Sequence, residues 1–314
     1  MNGSGKTTAL HALETVRSMA LGRPPVANAF RNKGGESEIV VHFTDEADIS
    51  FEYGITFGDT ITEEHASFSP NGRTTRIFTR NGDTVTPGQK FQGLKGLDAD
   101  ERTSFLHTAC EFGDEVCSRM HDWFSHCMFT VPEFSRQRVA DLMKVVSRDI
   151  ELRADLVRTL RMAGFKIASL DENGITYEYN EDKKDACTVS YTDESMGTLE
   201  AILTFYSMYY SLKKGALMLS DCFGAHMQPD LTRFLLKQFR NDSNLSKAQL
   251  MAVSYDSSLM SVDLLRRDQI IIASKDDTGA SRLHAVSDFK GVRTNTDIAK
   301  AYENGRFSGT PGEE

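Results

Sequence analysis

The sequence predicts an α/β fold in which one open, mostly parallel sheet is split along the chain by an inserted antiparallel sheet and a helical lobe. Three observations carry this. The chain opens MNGSGKTTALHAL, where glycines and a lysine-threonine pair run straight into a helical period. Residues 37–97 then change to short alternating or β-branched runs, which read as antiparallel sheet. Beyond residue 192, helical patterns and short apolar strands alternate, as a parallel sheet covered on both faces requires.

Each element follows from its local pattern. KTTALHALETVRSMALG reads as a first helix with Leu10, Leu13 and Val16 on one face and Gly22 as its stop. SEIVVHFTD, ISFEYGITF and TTRIFTRNGDTV read as strands, the last with an Asn-Gly turn. Asp98 to Cys127 reads as one helix, with Phe105, Leu106, Ala109, Phe112, Val116, Met120, Trp123 and Phe124 spaced by three and four. A second long helical pattern runs from Glu133 to Gly164, and FKIASLDENGITYEYN and KKDACTVSY give a hairpin and a strand. GTLEAILTFYSMYYSLKKG and PDLTRFLLKQF are helical, whereas ALMLSD, AQLMAVSYD and DQIIIASKD are strands expected in the parallel sheet. The resulting division is 1–36 for the glycine loop and first helix, 37–97 for the antiparallel sheet and 98–165 for the helical lobe. Residues 166–192 are a hairpin and strand leading back, 193–289 are the second half of the core, and 290–314 are a tail ending in the flexible-looking GRFSGTPGEE.

Composition narrows the function classes. With 314 residues, 39% apolar and 26% charged, the chain can bury a large core. A formal charge of −9 does not indicate a nucleic-acid partner, although a local basic patch would be compatible with it. No run reaches the roughly 18 apolar residues of a membrane span, and no secretory leader pattern is evident. Five cysteines at wide, irregular spacing do not form a disulfide framework, so the expectation is a reduced, cytoplasmic protein with no membrane association.

The candidate chemistry begins at the first residues. Gly3, Ser4 and Gly5 would turn backbone N–H groups onto phosphate oxygens, and the helix that follows adds free donors and a favourable dipole. Lys6 would reach the β- and γ-phosphates of ATP, Thr7 would offer its hydroxyl to Mg²⁺, and Thr8 completes the string. The full pattern also calls for an earlier glycine and a leading strand, and the sequence starts too late to include them. ALMLSD is an apolar strand ending in an acid at the edge where open α/β sheets present ligands. Asp221 there would hold the Mg²⁺ through a water. ESMGT precedes a helix, so Ser195 and the N–H groups near Gly197 form a further phosphate contact or, more plainly, a serine cap with a glycine turn.

These motifs, in this order, resemble the ABC-type ATPases of the AAA15 and OLD-like group, relatives of the SMC and Rad50 heads. The resemblance implies a P-loop NTPase core of the ABC-head type that sandwiches ATP between two heads. ESMGT looks like the signature, which places Ser195 and Gly197 on a γ-phosphate in trans, and Asp221 matches the Walker B aspartate. Departures from the family pattern cluster nearby. Cys222 stands where the family has its catalytic glutamate, Gly224 where an aspartate is usual, Gln228 for a histidine, and Tyr255 for the switch histidine. A thiol with an ordinary pKa near 8.5 cannot replace a carboxylate base. The implied function is therefore a nucleotide-binding head with weak or lost hydrolysis, a homodimer or a component docked on a separate effector, possible in bacterial antiphage defence. Two alternatives stay open: a structural or interaction protein that binds no nucleotide, and an active ATPase using another acid such as Glu194 or Asp256.

Other residues invite functional readings. His226 lies four residues past Cys222 and reads as a surface or interface residue rather than a replacement base. His107, Cys110, Cys117, His121, His126 and Cys127 cluster in one helical region, where a zinc site is formally possible but apolar packing is the plainer reading. The arginine-rich helix near 136–161 carries acids that offset its charge.

Overall fold

The fold is mixed α/β. The computed structural model describes residues 4–26, 35–131, 134–178, 186–240, 244–276, 278–293 and 296–307. The chain divides into two compact units, one of Thr8–Phe129 and one joining the residues up to Thr7 with those from Thr130 onward. Helix α1 (Lys6–Ala20) begins at this division and ends at Gly22, whose φ of +83° places it in the left-handed region suited to a helix stop.

In the first unit, β1 (Ser37–Thr44), β2 (Ser50–Phe57), β3 (Ile61–Ser69), β4 (Thr75–Asn81) and β5 (Thr84–Pro87) form an antiparallel meander in chain order. Alternation along β2 buries Phe51, Tyr53, Ile55 and Phe57. The single helix expected over 98–127 is instead α2 (Phe105–Glu111) and α3 (Glu115–Asp122), followed by a π-type turn over Trp123–Cys127. The break has a local cause. Gly113 takes a φ of +96°, and Asp114 restarts the helix by accepting the Val116 and Cys117 N–H groups at 3.1 and 2.9 Å. Aromatic contacts hold these helices to the sheet, with Phe43 stacked on Trp123 and Phe78 edge-on to Phe105. That packing draws part of the span read as a helical lobe into the sheet unit.

A buried polar knot sits in the same core. Glu64 on β3 accepts the Phe105 and Leu106 N–H groups at 2.7 and 2.9 Å and the Tyr53 hydroxyl at 2.9 Å. Arg80 lies 3.6 Å away, and its guanidinium also donates to the Gly82, Thr103 and Asp100 carbonyls. One carboxylate thereby satisfies the free N–H groups that open α2. Burial pushes the Glu64 carboxyl above its ordinary range, against the pull of these four donors.

The strand β6 (Met128–Thr130) leads into the second unit. The long helix expected over 133–164 is two, α4 (Arg136–Val146) and α5 (Ile150–Met162), because Asp149 stops one and caps the other by accepting the Leu152 N–H at 3.0 Å. Three short strands, β7 (Ile167–Leu170), β8 (Ile175–Tyr177) and β9 (Cys187–Val189), form an antiparallel sheet. Helix α6 (Met196–Lys214) follows, buried along most of its length from Leu199 to Ser211 and closed by Gly215 at φ +67°. Then come β10 (Leu217–Ser220), α7 (Pro229–Gln238) and β11 (Gln249–Ala252), with β11 parallel to β10. This strand–helix–strand unit matches the expected crossover. On the other side of β10, Val131 donates its N–H to the Leu219 carbonyl at 2.7 Å.

The strand DQIIIASKD does not join that sheet. As β12 (Ile271–Lys275) it pairs antiparallel with β13 (Ser281–Ala285). The turn explains this, since Asp276 accepts the Thr278 and Ala280 N–H groups and Gly279 adopts φ +80°, folding the chain directly back. The hairpin and α8 (Ile298–Glu303) enclose a small core of Ile270, Ile272, Val286, Phe289, Val292, Ile298 and Phe307. Residues 308–314 of the expected tail, and the Cys127 side chain, lie outside the described residues. No helix among the described residues is long and apolar enough to cross a membrane.

Candidate functional site

The glycine-lysine-threonine segment and the end of β10 meet within the second unit. Ser4 is buried, and Gly5 takes a φ of +95° against the side chain of Ser281. A Cβ added to Gly5 would fall 2.1 Å from Ser281 Oγ, so both the turn and the close approach require glycine. α1 then starts at Lys6, which puts Lys6 and Thr7 in its first turn. Thr7 Oγ1 donates to the Asp221 carboxylate at 3.0 and 3.3 Å across 214 positions of sequence. Lys6 Nζ donates to Ser4 Oγ at 3.3 Å and lies 5.3 Å from the centre of the Tyr255 ring. Thr8, next along the helix, is exposed, and Gly3 lies outside the described residues.

The backbone around β10 explains how Asp221 and Tyr255 arrive there. β10 ends at Ser220, so Asp221 leaves the sheet at its C-terminal edge. Pairing with the β11 side continues past the strand: Val253 N–H donates to Ser220 C=O at 2.9 Å, and Phe223 N–H to Val253 C=O at 2.8 Å. That ladder carries Tyr255 alongside residues 221 and 222. Cys222 N–H donates to Asp221 Oδ1 at 2.9 Å, and Cys222 itself holds a φ of +51°, unusual for a residue with a side chain. Partial burial pushes the Cys222 thiol above its ordinary range, helped by Asp221 and Glu200, while a Tyr255 hydrogen bond draws the other way. The group is therefore a thiol rather than a thiolate at neutral pH.

Two neighbouring positions have structural reasons for their residues. At Gly224, φ is +79° and an added Cβ would meet Thr232 Oγ1 at 2.6 Å and Cγ2 at 2.7 Å. No larger residue fits that turn unless the first turn of α7 shifts. Gln228 is the N-cap of α7 and makes no side-chain cap bond, with Pro229 starting the helix.

Ser195 takes the cap role. Its side chain accepts the Thr198 N–H at 3.1 Å, and its own N–H donates to Glu194 Oε1 at 2.7 Å. Gly197 permits another close approach, since a Cβ there would lie 2.6 Å from the His226 carbonyl oxygen. His226 also faces Glu200, with Nδ1 at 2.6 Å from Oε2, and its N–H donates to the same oxygen. The loop after β10 is thus pinned to the first turns of α6. Arg136 fixes the approach to α6 from α4, donating to the Tyr191 and Glu194 carbonyls at 2.9 and 2.6 Å. Glu194 receives the Tyr177 hydroxyl at 2.6 Å, and Asp256 accepts the Ser258 N–H at 2.9 Å. Asp256 thus serves its own turn, and Glu194 is divided between the start of α6 and Tyr177 on β8.

The structure therefore gathers Ser4, Gly5, Lys6, Thr7, Asp221, Cys222 and Tyr255 at one edge, while the Ser195 side chain caps its own helix. The gathered groups are an ammonium, a hydroxyl, a carboxylate and helix-terminal N–H groups. Such a set suits an oxyanion beside a hard cation. The oxygen donors of Thr7 and Asp221 match Mg²⁺, which takes one or two protein oxygens and completes its shell with water and phosphate. Among the described residues no three histidine, cysteine or acidic side chains gather as a metal cage. Sequence reading missed Ser281, Arg136 and Tyr177; a serine opening the second strand of a hairpin and an arginine in a helix carry no motif. No protein-family model matches the chain, and no curated protein matches it significantly.

Proposed function

We propose that the chain is a nucleotide-binding head of the ABC type, of the AAA15 and OLD-like kind, with weak or lost ATP hydrolysis. The observation that carries this reading is the Thr7 hydroxyl on the Asp221 carboxylate, with Lys6 in the same helical turn. In this reading Ser4, Gly5 and the first turn of α1 cradle the triphosphate, and Lys6 swings from Ser4 and Tyr255 to its outer phosphates. Thr7 and Asp221 hold Mg²⁺, directly and through water respectively. Ser195 and the N–H groups near Gly197 close on the nucleotide of a second copy, so that ATP acts as a clamp between two heads in the cytoplasm.

Hydrolysis is weak because the groups that would activate water are replaced. Cys222 remains a protonated thiol, Glu194 is occupied by the Ser195 N–H and the Tyr177 hydroxyl, and Asp256 by its own turn. Loss of one transition-state group typically costs ~100- to 1000-fold in rate. The test is steady-state phosphate release with Mg²⁺ and ATP. Turnover far below one per second supports the reading, whereas turnover near ordinary enzyme values that disappears in Asp221→Ala overturns the claim of weakened hydrolysis. A second reading, an interaction protein that binds no nucleotide, draws on Lys6 being satisfied by Ser4 and Tyr255 without a ligand. Binding measurements separate the two.

A further inference from the structure

The hairpin of α2 and α3 lies in the other unit, and its two facing histidines serve no part of the site above. His107 Nδ1 and His121 Nε2 stand 3.3 Å apart, one from each helix. We propose that this pair is a two-histidine site for a divalent transition ion such as Zn²⁺, with water completing the coordination.

The geometry suits a metal. At the ~2.0–2.1 Å typical of zinc–imidazole bonds, nitrogens at this separation subtend an angle of about 105–110°, close to tetrahedral. Without a metal, the same two atoms share one proton in an N–H···N bond; on binding, the ion takes that proton's place while Nδ1 of His121 takes up a proton from solvent, so both rings remain neutral imidazoles. The rings are also held in advance. Glu111 Oε1 lies 3.5 Å from His107 Nε2, which favours the proton on that nitrogen and leaves the Nδ1 lone pair facing His121. The His107 ring lies on the backbone of Gly22, where an added Cβ would come within 2.5 Å of Cδ2. Neither ring is deeply enclosed, so hydrated ions have access.

The wider cysteine-histidine cluster does not take part as one cage. Cys117 is fully buried, and burial together with Asp114 keeps it a thiol. No third histidine, cysteine or carboxylate among the described residues joins the pair. A site with two protein nitrogens and open positions is the consequence. Binding there joins α2 to α3 across Gly113 and stabilises the hairpin by mass action.

The test is calorimetric titration of the full chain with ZnCl₂ after chelator treatment and dialysis, paired with thermal unfolding. The expected result is saturable binding of about one equivalent with an upward shift of the unfolding temperature. His107→Gln and His121→Gln, which keep polar groups at these positions, should each abolish both signals. Glu111→Gln should weaken binding about tenfold, the usual effect of losing a carboxylate behind a ligating histidine. His126→Ala and Asp221→Asn should leave binding unchanged, which separates the pair from its exposed neighbour and from the Thr7–Asp221 site. X-ray absorption at the zinc edge should find about two imidazole nitrogens, whether or not a variant folds. No saturable binding, or binding that persists in either glutamine variant, overturns the proposal.

Discussion

Asp221 is held by two donors at once, the Thr7 hydroxyl and the Cys222 N–H, so its carboxylate is aimed before any ligand arrives. Thr7→Ala removes one of these donors and the hydroxyl offered to Mg²⁺. Its expected effect is a loss of roughly tenfold or more in Mg²⁺-dependent ATP affinity, from the ~1.5–3 kcal/mol of a hydrogen bond to a charged group. Fluorescent-nucleotide titration with and without Mg²⁺ reads it, and a loss equally large without Mg²⁺ would argue against a metal role. Cys222 supplies a pH test. Its raised pKa leaves less thiolate at neutral pH than an ordinary thiol, so alkylation of this exposed residue should be slower than that of free cysteine. The rate at Cys222 should rise as pH climbs past the usual thiol range near 8.5. Mass-spectrometric labelling against pH checks this; equal rates at pH 7 would mean an activated thiolate and a different role for the residue.

At the scale of elements, two constraints are sharp enough to test. Gly224→Asp introduces the residue type usual in the family the sequence resembles but forces a side chain into a left-handed turn against Thr232. It should destabilise the second unit by ~1–3 kcal/mol, the typical strain of such a backbone position. Glu64→Ala strips the Phe105 and Leu106 N–H groups, the Tyr53 hydroxyl and the buried Arg80 of their shared acceptor. Breaking a buried charge pair costs about 3–5 kcal/mol, so chemical denaturation should give a loss in that range. A change under 1 kcal/mol in either case would mean that the neighbourhood relaxes freely. The same elements mark what the sequence made legible. Capping and glycine stops placed α1 and α6 well, since Gly22, Ser195 and Gly215 act within one or two turns. The breaks at Gly113–Asp114 and at Asp149 were hidden because apolar spacing continues across them, and periodicity alone cannot distinguish one helix from two. The β12–β13 hairpin was missed for a related reason: an apolar run looks alike in parallel and antiparallel sheet, and Asp276 decides between them.

For the whole molecule, the division into an antiparallel-sheet unit and an α/β unit follows from packing that sequence spacing does not encode. The Glu64 knot and the Phe43–Trp123 stack bind residues 105–127 to the sheet, although a linear reading groups them with the helices after 133. The candidate site was the most legible part, because Lys6, Thr7 and Asp221 each belong to a short pattern with a defined partner. Departures from a family pattern at Cys222, Gly224 and Tyr255 rest on the resemblance alone, and Ser281, which meets Gly5, leaves no signature. In the proposed function the clamp predicts nucleotide-dependent association: Mg²⁺ with ATP should raise the dimer fraction in sedimentation velocity, and Ser195→Arg should prevent this while the single head still binds nucleotide through Lys6 and Thr7. A dimer fraction indifferent to nucleotide would remove the clamp.

The central claim is that the Lys6–Thr7–Asp221 cluster binds a nucleoside triphosphate, and equilibrium calorimetry of ATP with Mg²⁺ on the full chain tests it most directly. The account predicts saturable binding that is lost in Lys6→Ala with the protein still folded. Heat indistinguishable from dilution, or binding unchanged in Lys6→Ala, would contradict it.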